Sequence, residues 1–192
     1  DIERILKEKK PKAFMLENVR NLAAHDNGNT FLVIRKHLEA LGYSVYAKVM
    51  NALDYGVPQK RERIIIVGFI DNVFFSFPEP VPTWQRKTLK DILEQNVDEK
   101  YYVRDKIRES RLMRLKDPNY PKPYISHENM AGSITPHPYS SCLRAGASAN
   151  YILINDERRP TEREMLRLQG FPEDFKIVVS YGQIKHQCGN SV

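Results

Sequence analysis

Cysteine is scarce in this chain: 2 in 192 residues, Cys142 and Cys188. Two distant thiols make neither a disulfide framework nor a metal-binding spacing, which points to reduced thiols in a cytosolic setting and to no metal site. No apolar run approaches the roughly 20 residues that a membrane-spanning helix needs. The first residues carry no signal-peptide pattern, and the chain has no internal repeat and no low-complexity segment. What remains is ordinary for a soluble globular protein, with 41% hydrophobic and 28% charged residues. There is no excess of acid: Lys and Arg number 30 against 24 Asp and Glu, for a net charge of +6 and a pI near 9.2. That balance is compatible with a polyanionic partner without requiring one.

The stretch Ala13-Phe14-Met15-Leu16-Glu17-Asn18-Val19 reads as a buried strand that ends on a carboxylate and an amide. A glutamate in that position is held at the rim of a sheet, where open α/β sheets keep their ligand crevices. It can equally serve as a cap for the loop that follows. Ahead of it, Ile2, Ile5 and Leu6 mark one side of a helix that Pro11 stops. Phe31, Ile34, Leu38 and Leu41 recur at helical spacing, and Gly42 stands where a C-terminal cap belongs. Tyr43 to Met50 alternates as a half-buried strand, and Arg63 to Phe69 is a β-branched run typical of a buried one. Together the two predict an antiparallel, hairpin-like end to the sheet.

Pro78, Pro80 and Pro82 mark a stiff connection where the regular patterns weaken. Thr88 is the expected cap of a short helix reaching Glu94. From Lys100 to Lys116, seven basic residues stand against two acidic ones. Arg104, Arg108, Arg111 and Arg114 are spaced to share one helical face. A solvated surface helix explains them as well as nucleic-acid contact does. Residues 117–139 read as loops and short strands. Thr161 and Glu164 form a capping box for a helix that ends before Gly170-Phe171-Pro172.

Four short stretches carry the chemistry: Glu17-Asn18-Val19, Gln59-Lys60-Arg61-Glu62-Arg63, Arg159-Pro160-Thr161 through Leu168-Gln169-Gly170-Phe171-Pro172, and Gln187-Cys188-Gly189-Asn190-Ser191-Val192. In this order and at these separations they resemble the C-terminal motifs of the cytosine-5 DNA methyltransferases. The resemblance implies an α/β fold: part of a Rossmann-like methyltransferase sheet plus a small β-rich target recognition domain. Residues 1–76 would be the C-terminal half of the catalytic domain, 77–158 the recognition domain and 159–192 a return to the catalytic and cofactor domain. The implied reaction moves a methyl group from S-adenosyl-L-methionine to C5 of a cytosine flipped out of double-stranded DNA.

Within the resemblance, Glu17 protonates or hydrogen-bonds cytosine N3, Arg63 contacts O2, and Arg61 holds a phosphate or the catalytic loop. Asn190, Ser191 and Val192 fall in the family's last motif, which opens a helix against the cofactor, and Gly189 there allows close backbone approach. Arg163, Glu164 and Arg167 are expected to make ion pairs. DNA contacts are expected from Gln59, Arg104, Arg108, Arg111 and Arg144. In Ser141-Cys142-Leu143-Arg144-Ala145, Cys142 stands where such domains often carry a threonine.

The family's Phe-x-Gly-x-Gly cofactor motif and its Pro-Cys nucleophile do not occur in these residues. Asp1 begins inside a helical pattern, so the expectation is a C-terminal portion of a longer enzyme, or else one subunit of a split one, inactive by itself. The compact recognition region suits a prokaryotic, cytoplasmic restriction-modification enzyme. Two other readings remain open: an RNA cytosine methyltransferase acting on transfer RNA, and a non-catalytic DNA-binding module.

Overall fold

Residues 1–191 are described by the computed structural model, in which the chain divides into two compact units. The first comprises Asp1–Asn51 and Glu62–Pro80, the second Ala52–Arg61 and Val81–Val192.

In the first unit, helix α1 (Ile2–Lys9) is followed by strand β1 (Ala13–Val19), helix α2 (Asn29–Ala40) and strand β2 (Ser44–Asn51). Strand β3 (Gln59–Lys60) belongs to the second unit, and β4 (Glu62–Phe69) completes the first. Helix α1 stops at Lys10, which takes a left-handed conformation one residue before Pro11. Helix α2 ends beside Gly42 (φ +92°), whose positive φ suits glycine. The strand order is β1-β4-β2, with β4 in the middle and antiparallel to both neighbours. β1 and β2 are therefore parallel, and α2 provides the crossover between them.

Because side chains alternate along a strand, the register sorts the sheet into two faces. Phe14, Leu16, Ile64, Ile66 and Val45 share a core with Leu6, Leu38, Tyr43 and the apolar side of α2. Phe14 lies over Gly68, its partner across the ladder, where any Cβ would strike its ring, and meets Tyr43 edge-on at 5.0 Å. The opposite face carries Met15, Glu17, Val19, Arg63, Ile65 and Val67. One end of it is covered by a cluster of Tyr46, Phe69, Phe75 and Phe77.

The central strand is buried as its β-branched run predicts, with Ile64 and Ile66 each 2% exposed. Strand β1 departs from expectation: none of its seven residues is fully buried, and Met15 is 72% exposed. The reason is position. β1 pairs on one side only, and within its unit only the core face is packed by helices.

The second unit holds a three-stranded antiparallel sheet, β6-β5-β8, formed by β5 (Ile125–Glu128), β6 (Ile134–His137) and β8 (Ile152–Ile154). A second, two-stranded pairing joins β3 to β7 (Ser140–Ser141) in parallel. Its helices are α3 (Leu89–Ile92), α4 (Asp105–Leu112), α5 (Glu162–Leu168) and α6 (Tyr181–Asn190). Both expected caps form. Thr88 and Asp91 box the start of α3, and Thr161 and Glu164 box the start of α5.

Residues 159–191 pack with residues expected in the recognition domain: Met165, Leu166 and Leu168 of α5 and Ile184 and Cys188 of α6 share one core with Leu89, Ile92, Ile125, Ile152 and Ile154. Neither helix has enough apolar surface to stand alone, so both bury theirs against the β5–β8 sheet.

Candidate functional site

Glu17 and Arg63 meet on the less covered face of the first unit. Register decides this: Val19 lies opposite Arg63 and Glu17 opposite Ile65, so the two side chains are diagonal neighbours on one face. Arg63 Nε lies 2.6 Å from Glu17 Oε1, and the side chains are 19% and 23% exposed. The carboxyl is thus held on a strand and oriented by a guanidinium, yet remains open to solvent. Next to it, Asn18 Oδ1 accepts the Val19 N–H at 2.8 Å, and Arg20 pairs with Glu62 at 2.9 Å. Such a rim can present a carboxyl group and a fixed cation to a flat polar molecule.

Gln59 and Arg61 of the Gln59–Arg63 stretch face inward within the second unit, whereas Lys60 is exposed. Gln59, expected at DNA, is fully buried. Its Nε2 donates to the Leu168 carbonyl at 2.6 Å and its Oε1 accepts the Leu143 N–H at 3.2 Å. Arg61, expected near a phosphate, is 8% exposed. One of its nitrogens lies 2.9 Å from Cys142 Sγ and another donates to the Ser191 carbonyl. Both side chains tie the β3 segment to the chain's later elements, because buried polar groups must find partners inside the protein.

Gly189 and Asn190 lie at the end of α6, with Asn190 its last residue and Ser191 its C-cap. A Cβ at Gly189 would collide with the backbone of Arg144 and Ala145, so the close approach that this glycine permits is to the chain's own loop. Asn190 is exposed, its amide 3.3 Å from His186 Nδ1, whereas the Ser191 hydroxyl donates to the Cys188 carbonyl at 3.0 Å. Val192 lies outside the described residues.

Of the four arginines expected on one helical face, Arg104 caps α4 and Arg108 is exposed, 3.5 Å from Glu157. Arg114 lies beyond the helix end and pairs with Glu128. Arg111 is 1% exposed: Nε donates to Asp156 at 2.8 Å, Nη1 to Glu128 at 3.1 Å and Nη2 to the Ser126 hydroxyl at 2.8 Å. The helical spacing is sound, but α4 turns Arg111 to the sheet, where Asp156 waits at the β8 turn. Arg144 is exposed, and its guanidinium rests over the Tyr151 ring at 4.9 Å. Sequence reasoning missed Tyr151, Asp156 and Arg158, whose partners are distant in the chain and leave no local signal. The expected ion pairs of α5 form for Glu164, with Arg158 at 2.7 Å, and for Arg167, with Glu173 at 2.6 Å. Arg163 instead donates to the Phe175 carbonyl at 2.8 Å.

The two cysteines differ in their surroundings. Cys188 is 1% exposed, and burial pushes its thiol up to about 11. Cys142 is half-buried, its sulfur held by Arg61. Because only the thiolate reacts, alkylation of the folded protein should modify Cys142 first and leave Cys188 untouched until the protein is denatured. Peptide mapping by mass spectrometry reads this directly, and rapid labelling of Cys188 in the folded state would refute its burial.

The family model described as C-5 cytosine-specific DNA methylase matches residues 1–192. The Type II methyltransferase M.NgoBI of Neisseria gonorrhoeae is 52% identical over 194 residues, covering 100% of this chain and 60% of the relative. M.HaeII of Haemophilus aegyptius is 51% identical over 195 residues, with the same coverage of 100% and 60%. The chain thus spans about 60% of the length of these curated relatives. Among solved structures, a Spodoptera frugiperda DNMT2 variant superposes with a TM-score of 0.68 at 18% identity, covering 100% of this chain and 66% of that one. A putative DNA modification methyltransferase from an E. coli prophage gives 0.61 at 20% identity, covering 99% and 68%. These likenesses show a shared methyltransferase fold.

Proposed function

Because the chain belongs to the C-5 cytosine-specific DNA methylase family, we propose that it is the base-engaging and DNA-reading part of a bacterial restriction-modification methyltransferase. The enzyme transfers a methyl group to C5 of a cytosine flipped out of double-stranded DNA, in the cytoplasm. The observation that carries this reading is the Glu17–Arg63 pair, 2.6 Å apart on the rim of the sheet.

C5 of cytosine is a weak nucleophile. Addition of a thiolate to C6 makes it an enamine carbon and loads N3 and O2 with negative charge. Glu17 meets that charge at N3 by donating a proton or a hydrogen bond, and Arg63 meets it at O2 with donors that stay charged at any working pH. The contact with Arg63 fixes the carboxyl group before the base arrives, and Glu17 takes up a proton from solvent as the base enters and passes it to N3, so the donor is in place as charge develops. After methyl transfer the C5 proton passes to solvent, the C6–sulfur bond breaks with its electron pair leaving on the thiolate, and N3 returns its proton to Glu17, which restores the aromatic ring.

The family's methyl donor is S-adenosyl-L-methionine. Asn190 fits that group with an exposed amide, but the N–H, carbonyl and hydroxyl of Ser191 are each engaged within the chain. The described residues therefore do not make a cofactor pocket by themselves, and no step is assigned through it. In this reading the thiolate does not come from this chain either, since neither Cys142 nor Cys188 follows a proline as the family's nucleophile does. In this reading a further part of the enzyme, on the same polypeptide or on a partner subunit, supplies the nucleophile and the rest of the cofactor site.

The test is a transfer assay with radiolabelled cofactor on duplex DNA and on transfer RNA. This chain alone should transfer nothing, whereas the complete enzyme should methylate DNA. Turnover by the isolated chain would overturn the division of labour. Activity on transfer RNA but not DNA would replace the DNA reading with the RNA one.

A further inference from the structure

Two cations converge on one aromatic ring in the second unit, and neither is neutralised. Tyr151 is 5% exposed. The Arg144 guanidinium lies 4.9 Å from its ring centre and the Lys185 ammonium 6.0 Å. Arg144 comes from the loop after β7, and Lys185 from α6. Among the described residues no aspartate or glutamate forms an ion pair with either. Like charges brought together at a protein surface repel, and burial together with the nearby Arg144 pushes the Lys185 ammonium below its ordinary value. His127, edge-on to the same ring at 6.2 Å, is likewise pushed down by burial and by Arg144. The cluster thus carries a positive potential that its own residues leave uncompensated.

The loop that bears Arg144 is also firmly placed. The Tyr151 hydroxyl accepts the Arg144 backbone N–H at 2.9 Å, and Lys185 Nζ donates to the Ala147 carbonyl. The Leu143 N–H is fixed by Gln59 at 3.2 Å, and Gly189 lets α6 press against Ala145. A cation on such a loop binds an anion with less ordering cost than one on a free side chain.

We propose that Arg144 and Lys185, held over Tyr151, form a two-cation site for a phosphate of the DNA backbone. This rests on the proposed function, which supplies the DNA. It assigns Lys185 a contact of its own and gives Arg144 a phosphate rather than a base edge. Tyr151 is a positioning residue: its ring and hydroxyl set where the two charges sit.

Binding of the complete enzyme to duplex oligonucleotides with and without the target sequence, measured across a salt series, tests this. Lys185→Gln should weaken both duplexes by a similar factor and reduce the slope of log K against log[salt] by about 0.9, the loss of one neutralised phosphate. Lys185→Arg should restore the slope. An unchanged slope in a Lys185→Gln enzyme that melts like the wild type overturns the site while leaving the proposed function standing. Weakening confined to the target sequence also overturns it, because that is base reading. Inorganic phosphate supplies the last arm. Saturable binding without DNA, removed by Lys185→Gln, would make this a free-anion site and overturn the backbone assignment. Failure of the wild-type enzyme to bind any duplex would instead refute the DNA reading beneath it.

Discussion

Replacing Glu17 with glutamine in the complete enzyme lowers kcat by about 10²–10⁴-fold, the usual worth of a positioned acid or base, and leaves the Kd for duplex DNA unchanged. Glutamine has nearly the same shape and can still accept a hydrogen bond from Arg63, so the 2.6 Å contact on the sheet rim is weakened rather than abolished. It cannot deliver a proton to N3. The loss should therefore fall on the chemical step, with kcat and kcat/KM dropping together. Arg63→Lys keeps the charge but loses the planar fork, and should reduce kcat while retaining duplex affinity. A melting measurement on each variant separates catalysis from folding, since both side chains are partly exposed and contribute little to stability. A Glu17→Gln enzyme with wild-type kcat would remove the central residue from the mechanism. Equal losses in affinity and rate would recast Glu17 as a binding group.

Asp156→Ala should destabilise the second unit by about 3–5 kcal/mol, the cost of stranding a buried charge. Asp156 is fully buried and accepts from Arg111 at 2.8 Å, from the Ser126 hydroxyl at 2.6 Å and from the Tyr124 hydroxyl at 3.1 Å. Removing it leaves the Arg111 guanidinium, 1% exposed, with Glu128 as its one charged partner among the described residues. Against the roughly 5–15 kcal/mol that holds a typical domain together, this is a large fraction. The double variant Arg111→Met, Asp156→Leu should recover much of the loss, because a well-packed apolar pair avoids the desolvation cost of the ions. Urea unfolding without DNA measures all three. An Asp156→Ala midpoint equal to that of the wild type would show that the network carries no stability. This experiment also separates a core arginine from a DNA-contacting one, since a phosphate contact would not alter unfolding of the free protein.

The comparison of Arg111 with Arg108 shows how far the sequence could be read. Both lie at helical spacing in a basic stretch, and both are drawn there by the same pattern. Only the fold turns one to solvent and the other to a carboxylate 45 residues further along the chain. Gln59 and Arg61 repeat the lesson. Their motif was visible, but their partners, Leu168, Leu143, Cys142 and Ser191, come from segments far along the chain. Nor does anything local say that α5 and α6 share a core with β5 and β8.

Periodicity, caps and breakers are properties of neighbouring residues, and the sequence by itself determined them: the helix α2, the buried strand β4, the cap at Thr88, the capping box at Thr161 and the stop at Pro11. The ordered motifs determined the family. Tertiary structure alone decided what depends on strand register and on packing between distant segments. It set Glu17 diagonal to Arg63. It also took Arg111 into the core and placed Arg144 and Lys185 over one tyrosine. The physical reason is that a local pattern fixes which way a side chain points from its own element, but only the partner element determines whether that direction meets water, a carboxylate or a ring.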